Sequence, residues 1–158
     1  AFTNNLKRGS FSVFTSVGYT DARYADYNVI TRQGNALVTT NYANKKVENA
    51  PEWIVRYGIN YFWKGLTATM QWSYVGEAFT DANNTVAPSA NGQNGLIPSY
   101  HVGDISLNYA FKKRFTIRAG LNNITDKSYF TRRAGGYPGP GLMPADGRNA
   151  YVTFGAKF

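Results

Sequence analysis

The sequence predicts an all-β chain, an antiparallel transmembrane β-barrel segment in which long loops alternate with short turns. Three observations carry that expectation. Apolar and polar residues alternate at period two in six separate segments, the mark of strands with two unlike faces. The connections between those segments are short and long by turns, as in barrels with short turns at one rim and long loops at the other. The polar face is built mostly of Ser, Thr, Asn and Gly, with single charges at Arg56, Glu77, Asp104 and Arg118.

The segments follow in order. In 11–20, Phe11, Val13, Val17 and Tyr19 form the apolar set, interrupted by Thr15, while Phe14 breaks the polar side. In 53–61 the apolar set is Trp53, Val55, Tyr57, Ile59 and Tyr61. In 66–77 it is Leu66, Ala68, Met70, Trp72 and Tyr74. Segment 103–111 sets Ile105, Leu107, Tyr109 and Phe111 against Asp104, Ser106 and Asn108. Segment 115–122 sets Phe115, Ile117, Ala119 and Leu121 against Thr116, Arg118 and Asn122. The last segment sets Val152, Phe154, Ala156 and Phe158 against Tyr151, Thr153 and Lys157. Short turns are expected at Lys7–Ser10, near Trp63–Gly65 and at Lys112–Arg114, and Asn/Gly/Pro-rich loops over roughly 22–50, 80–99 and 128–147. About ten residues of strand at ~3.3 Å each, tilted by ~40–45°, cover close to the ~25 Å apolar band of such barrels. Aromatics gather at the strand ends: Tyr61, Phe62 and Trp63 by one turn, and Phe79, Tyr129 and Phe130 by the loops.

Composition removes most other classes. Charged residues make up 16% of the 158-residue chain, below the ~25% of an ordinary soluble domain. No run approaches the ~18 apolar residues of a membrane-crossing helix. With no Cys and a single His, at position 101, thiol chemistry, Cys-ligated metals and His-cluster metal sites are ruled out. The formal net charge of +8 is scattered over turns and loops. It forms no basic stripe interleaved with stacking aromatics, which argues against nucleic-acid binding. The chain opens at Ala1 inside structured sequence, with no leader-like segment, as a piece of something longer or a processed product would.

A soluble β-sandwich binding module would also alternate. Its inner face would favour Val, Ile and Leu over Tyr and Trp, and its outer face would carry more Lys and Glu. A passive porin or structural barrel shares the alternation and the terminal Phe. A catalytic role for His101 would need a Ser and an acid aligned with it, and no spacing supplies them. Glycines 135 and 136 and the Pro-Gly pairs precede no helix, so they read as turn formers, not phosphate loops. The chain is therefore not expected to be an enzyme. Thr20-Asp21-Ala22, Thr80-Asp81-Ala82 and Thr125-Asp126-Lys127 recur where strands leave for long loops, and read as strand exits and Asx-turn formers without a ligand role.

Four short motifs, in order along the chain, add a resemblance. They are Asn49-Ala50-Pro51-Glu52-Trp53, Ile97-Pro98-Ser99-Tyr100 with Asp104 four residues on, Leu121-Asn122-Asn123-Ile124-Thr125-Asp126-Lys127-Ser128-Tyr129-Phe130, and the ending Tyr151 to Phe158 on an aromatic terminus. Together they resemble the TonB-dependent outer-membrane receptors. The Asn-Asn-Ile-Thr-Asp…Tyr-Phe signature is what a porin has no reason to carry. The resemblance implies that residues 1–158 are the C-terminal portion of one outer-membrane β-barrel domain. They would be the last six or so strands of a 22-stranded barrel, with Ala1–Leu6 the tail of the strand before. Six strands cannot close a barrel, so the plug domain and TonB box are expected in sequence ahead of Ala1.

Within the family, Tyr129-Phe130-Thr131-Arg132-Arg133, then Tyr137-Pro138-Gly139-Pro140-Gly141 and Asp146-Gly147-Arg148, look most like the ferric dicitrate transporter branch. That likeness implies uptake of a ferric chelate, ferric citrate or a related siderophore, as transported ligand, with no covalently bound cofactor. Arg132, Arg133, Tyr137 and Arg148 are the candidate ligand-binding residues, since a guanidinium gives forked hydrogen bonds to carboxylates. The other reading places the arginines on the outer rim, against lipopolysaccharide phosphates or solvent. The implied partners are the TonB–ExbB–ExbD system, reached through the plug, and the lipid and lipopolysaccharide of a Gram-negative outer membrane. No nucleic acid is implied.

Overall fold

The computed structural model describes residues 2–6, 9–112, 114–137 and 139–158. Its strands are β1 (Phe2–Leu6), β2 (Gly9–Tyr19), β3 (Asn28–Gln33), β4 (Ala36–Asn41), β5 (Trp53–Trp63), β6 (Leu66–Val75), β7 (Tyr100–Phe111), β8 (Phe115–Asn122), β9 (Phe130–Ala134), β10 (Gly141–Pro144) and β11 (Asn149–Ala156). There is no helix among the described residues. Seven strands form one antiparallel sheet in the order β1-β2-β5-β6-β7-β8-β11. Every neighbour in that order is the next main strand along the chain, so the sheet is a meander, a wall with two open edges. All six expected segments are strands of it. The third ends two residues early, at Val75, where Gly76 N–H already donates to Trp53 O at 2.8 Å.

The register sorts side chains by face. Across β2, β5, β6, β7, β8 and β11, one face aligns Val13, Ile59, Met70, Ile105, Leu121 and Ala150 in a single row. The opposite face aligns Ser12, Asn60, Thr69, Ser106, Gly120 and Tyr151. The apolar row has no second layer over it. Val17, Val152 and Phe154 are 60%, 78% and 62% exposed. Ala78 and Ile97 are the only buried hydrophobic residues among those described, and both sit at a loop root. A soluble sandwich would bury this face; here the wall holds its shape by its hydrogen-bond ladder and cross-strand pairs.

Phe14 and Phe62 interrupt the polar face, and the register gives Phe14 a reason. It pairs with Gly58 and lies over it: a β-carbon at Gly58 would be 2.6 Å from Phe14 Cζ. Trp72 covers Gly103 on the apolar face in the same way, and Tyr151 covers Gly120 on the polar face. An aromatic ring laid across a cross-strand glycine restores the contact that the missing side chain forfeits. The expected aromatic cluster by the short turns holds for Tyr61 and Trp63 but not for Phe62, and the one by the loops is revised. Tyr61, Trp63, Tyr109, Phe111, Phe115 and Phe154 lie on the apolar face by the short turns. Tyr109, Phe111, Phe115 and Phe154 follow one another at centroid spacings of 5.7, 5.2 and 5.9 Å. Phe62 faces the polar side, while Phe79 and Phe130 sit in the loops under Lys46 and Arg133.

Short connections share one end of the wall. Trp63 pairs with Leu66, so Lys64 and Gly65 make a two-residue hairpin with φ of 42° and 86°, the left-handed pair that matches strand twist. Phe111 pairs with Phe115 across a three-residue turn led by Lys112 at φ 49°. Leu6 pairs with Gly9, although Lys7 and Arg8 of that expected turn, like Lys113 of the other, lie outside the described residues. Ala1 and Pro138 also lie outside them. The long loops, 20–52, 76–99 and 123–148, share the opposite end.

Candidate functional site

The loop end carries structure that the sequence reading left as irregular loop. In the first loop, β3 and β4 form a hairpin closed by Gly34 (φ 61°) and Asn35. In the third, β9 and β10 form a ribbon whose register shifts at Met143/Pro144. The second loop is closed at its root by the Ala78↔Ile97 bridge.

Side chains then tie the three loops together. Asn84 and Lys46 bond reciprocally: Lys46 N–H donates to Asn84 Oδ1 at 2.8 Å, and Asn84 Nδ2 donates to Lys46 O at 2.9 Å. Asn49 N–H donates to Phe79 O at 2.8 Å, a second link between first and second loops. Lys46 also reaches Glu52 at 2.9 Å and lies over the Phe79 ring. Between second and third loops the link is Arg133. Its Nη1 donates to Gly92 O at 2.9 Å, its Nη2 and Nε donate to Leu96 O at 3.1 and 3.3 Å, and its guanidinium lies over Phe130.

The third loop is anchored to the wall by Asn123. This residue is buried, with φ 49°, and all its groups are used. Its N–H donates to Asp104 Oδ1 at 2.9 Å, Nδ2 donates to Lys127 O at 2.9 Å and Asp146 O at 3.3 Å, and Oδ1 accepts from Lys127 N–H at 2.9 Å. Beside it the Tyr100 and Tyr129 rings meet at a tilt of 31° with centroids 4.5 Å apart. A polar cleft of about 520 Å³ opens there between wall and ribbon, with Asp104, Asn122, Tyr129, Asp146 and Asn149 among its lining. At the short-turn end the polar face has a second hollow, about 300 Å³, where Arg114, Arg118 and Lys157 gather around Thr116, Thr153 and Gly155.

The four candidate ligand residues are dispersed over this structure. Arg132 and Arg133 are consecutive on β9 and so point to opposite sides of the ribbon. Arg132 is exposed, while Arg133 is half-buried and committed to the second loop. Tyr137 is fully exposed at the tip between β9 and β10. Arg148 sits at the root of β11, 3.7 Å from Asp126 with both side chains about half exposed. Two of the three Thr-Asp pairs act locally and the third joins the two ends of its loop: Asp21 pairs with Arg23 at 2.8 Å, Asp81 Oδ1 accepts Thr85 N–H at 3.0 Å, and Asp126 Oδ1 accepts Arg148 N–H at 3.0 Å. His101 lies on the apolar face, with Tyr57 Oη at 3.0 Å and the Trp72 ring at 4.9 Å. Among the described residues no group of acids and histidines is placed to hold a metal ion. Sequence reasoning missed the loop-tying residues Lys46, Asn84 and Arg133's carbonyl partners.

Comparison with known proteins agrees with this architecture. The family described as "TonB dependent receptor-like, beta-barrel" matches residues 3–124. No curated protein sequence matches the chain. Among solved structures it resembles the unliganded ferric citrate transporter FecA (TM-score 0.75, 21% identity, covering 94% of this chain and 21% of that one). It resembles the siderophore receptor PiuA of Acinetobacter baumannii (0.67, 22%, covering 94% and 19%) and the copper transporter OprC (0.64, 17%, covering 99% and 22%). The chain thus spans about a fifth of the length of these structures, and at such identities the likeness is one of fold.

Proposed function

This chain belongs to the TonB-dependent receptor-like β-barrel family, and on that premise we propose that it forms the C-terminal part of the barrel of an outer-membrane importer of ferric chelates. The observation that carries the reading is the division of the sheet. One face is apolar and aromatic and exposed; the other is polar, and beneath three interlinked loops it opens a cleft. A wall of this kind separates lipid from a filled lumen, with the loops on the outside. Energy enters through a plug domain that TonB pulls at the expense of the inner-membrane proton gradient. The hollow of Arg114, Arg118 and Lys157 on the polar face supports a plug with an acidic surface opposite it.

The chelate we favour is ferric dicitrate or a related carboxylate siderophore. Its anionic groups suit Arg132 and Arg148, with Tyr137 at the ribbon tip, while Arg133 holds the ribbon against the second loop. The test uses the full-length receptor, extracted from outer membranes in detergent and titrated with ferric dicitrate. Arg132→Ala and Arg148→Ala are each expected to cost about 1–3 kcal/mol of binding, as for a charged hydrogen-bond partner removed. Unchanged affinity in both would return these arginines to the rim, and no binding by the wild-type receptor would exclude ferric dicitrate as its cargo.

A further inference from the structure

The apolar face is not uniform. Next to the short turns it holds a groove of about 450 Å³, floored by Leu66, Leu107, Ile117 and Ala119. The register accounts for the hollow: Leu107 stands between Ala68 on one neighbouring strand and Ala119 on the other, so small side chains flank a large one. Trp63 and Lys64 close one end. The Lys64 ammonium lies over the Trp63 ring, 5.3 Å from its centroid, which turns the charge toward the apolar face and away from the polar one. Ala110 N–H donates to Gly65 O at 2.9 Å, lashing the strand that leads to the next turn beside Lys64. That turn carries a second exposed lysine, Lys112. No carboxylate lines the groove among the described residues.

An apolar trough ended by one lysine, with a second on the adjoining turn, matches an amphiphile with an anionic head. We propose that this groove is a binding site for a glycerophospholipid of the periplasmic leaflet, one acyl chain lying along Leu66, Leu107, Ile117 and Ala119 and the phosphate meeting Lys64 and Lys112. The choice of leaflet rests on the outer-membrane reading above, because short turns of such barrels face the periplasm. Lysine at headgroup level attracts anionic lipid, and a Trp ring beside it fixes the depth of the interface.

The experiment is native mass spectrometry of the full-length protein titrated with phosphatidylglycerol in a mild detergent, after sucrose-gradient fractionation of the membranes. Wild type is expected in the outer-membrane fraction with one phosphatidylglycerol retained. The Lys64→Gln/Lys112→Gln variant is expected to need about ten-fold more lipid for equal occupancy. Ala119→Phe, which fills the groove without touching the turn, is expected to lower occupancy as well, with the Lys variant reporting independently should it fail to fold. Equal occupancy in wild type and both folded variants, or retention of lipid A in preference to phosphatidylglycerol, overturns the site while leaving the importer reading intact. Absence of the protein from the outer-membrane fraction overturns both.

Discussion

Asp104 accepts the main-chain N–H of Asn123 at 2.9 Å through one carboxylate oxygen and the amide of Gln71 at 3.3 Å through the other. An acid on the polar face thus fastens the exit of β8 to β7 at the point where the third loop begins. Asn123 is buried, so an N–H left without an acceptor there costs about 1–3 kcal/mol. Asp104→Ala is expected to lower the stability of the detergent-extracted receptor by that amount, read as an earlier loss of the heat-modifiable folded band on electrophoresis. Asp104→Asn, which keeps an acceptor oxygen, is expected to lose less. Equal losses would mean that the carboxylate charge, not the acceptor, is what Asn123 requires.

Glycines of the wall divide into those that are covered and those that are not. A β-carbon at Gly58 would lie 2.5 Å from Met70 O and 2.6 Å from the Phe14 ring, and the carbonyl cannot swing away without breaking the ladder. At Gly18 the nearest atom would be Ile54 O at 3.7 Å, an ordinary contact. Gly58→Ala is therefore expected to destabilise by about 1–3 kcal/mol, the cost of overpacking. Gly18→Ala is expected to be neutral or slightly stabilising, since alanine restricts the unfolded chain. Thermal midpoints of the two variants, compared in one detergent, decide it; a Gly58→Ala midpoint at the wild-type value would show that the Phe14 pairing is dispensable.

Arg133 spends three donors on two carbonyls of the second loop. Lysine has no planar fork and cannot reproduce that arrangement. Limited proteolysis is expected to cut residues 80–99 faster in Arg133→Ala, and nearly as fast in Arg133→Lys. Arg132→Ala, on the other side of β9, is expected to leave the cleavage rate unchanged. If Arg132→Ala accelerates cleavage as much as Arg133→Ala, the ribbon is held by something other than the Arg133 carbonyl contacts.

The main strands were legible because each alternates over eight or more residues, and a one-residue slip would move an entire apolar set to the wrong face. The two loop hairpins were not, because neither has a long two-faced alternation. Ile30 and Leu37 remain 65% and 74% exposed. A signal for the first was nonetheless present, since Gly34-Asn35 between Val29-Ile30 and Leu37-Val38 is a hairpin turn sequence. The motif residues Asp104 and Asn123, and Tyr100 and Tyr129, were read as separate signatures; the structure shows that they contact one another. The role of Arg133 had no sequence mark at all. Its acceptors are main-chain carbonyls, which any residue supplies.

Arg148 makes the longest of the ion pairs among the described residues, 3.7 Å from an Asp126 that is itself about half exposed. Exposed pairs of this kind are worth about 0–1 kcal/mol and are screened by salt. The stronger link is main-chain: Asp126 Oδ1 accepts the Arg148 N–H at 3.0 Å, which a side-chain truncation of Arg148 leaves in place. Arg148→Ala is therefore expected to change stability by less than about 1 kcal/mol. Asp126→Ala loses the acceptor and also sets an alanine at φ 53°, so it is expected to cost about 1–3 kcal/mol. Unfolding midpoints at low and high salt check both. A large loss in Arg148→Ala would mean that its guanidinium is locked into the loop, against the ligand role proposed for it. A small one leaves it loosely held, as that role requires.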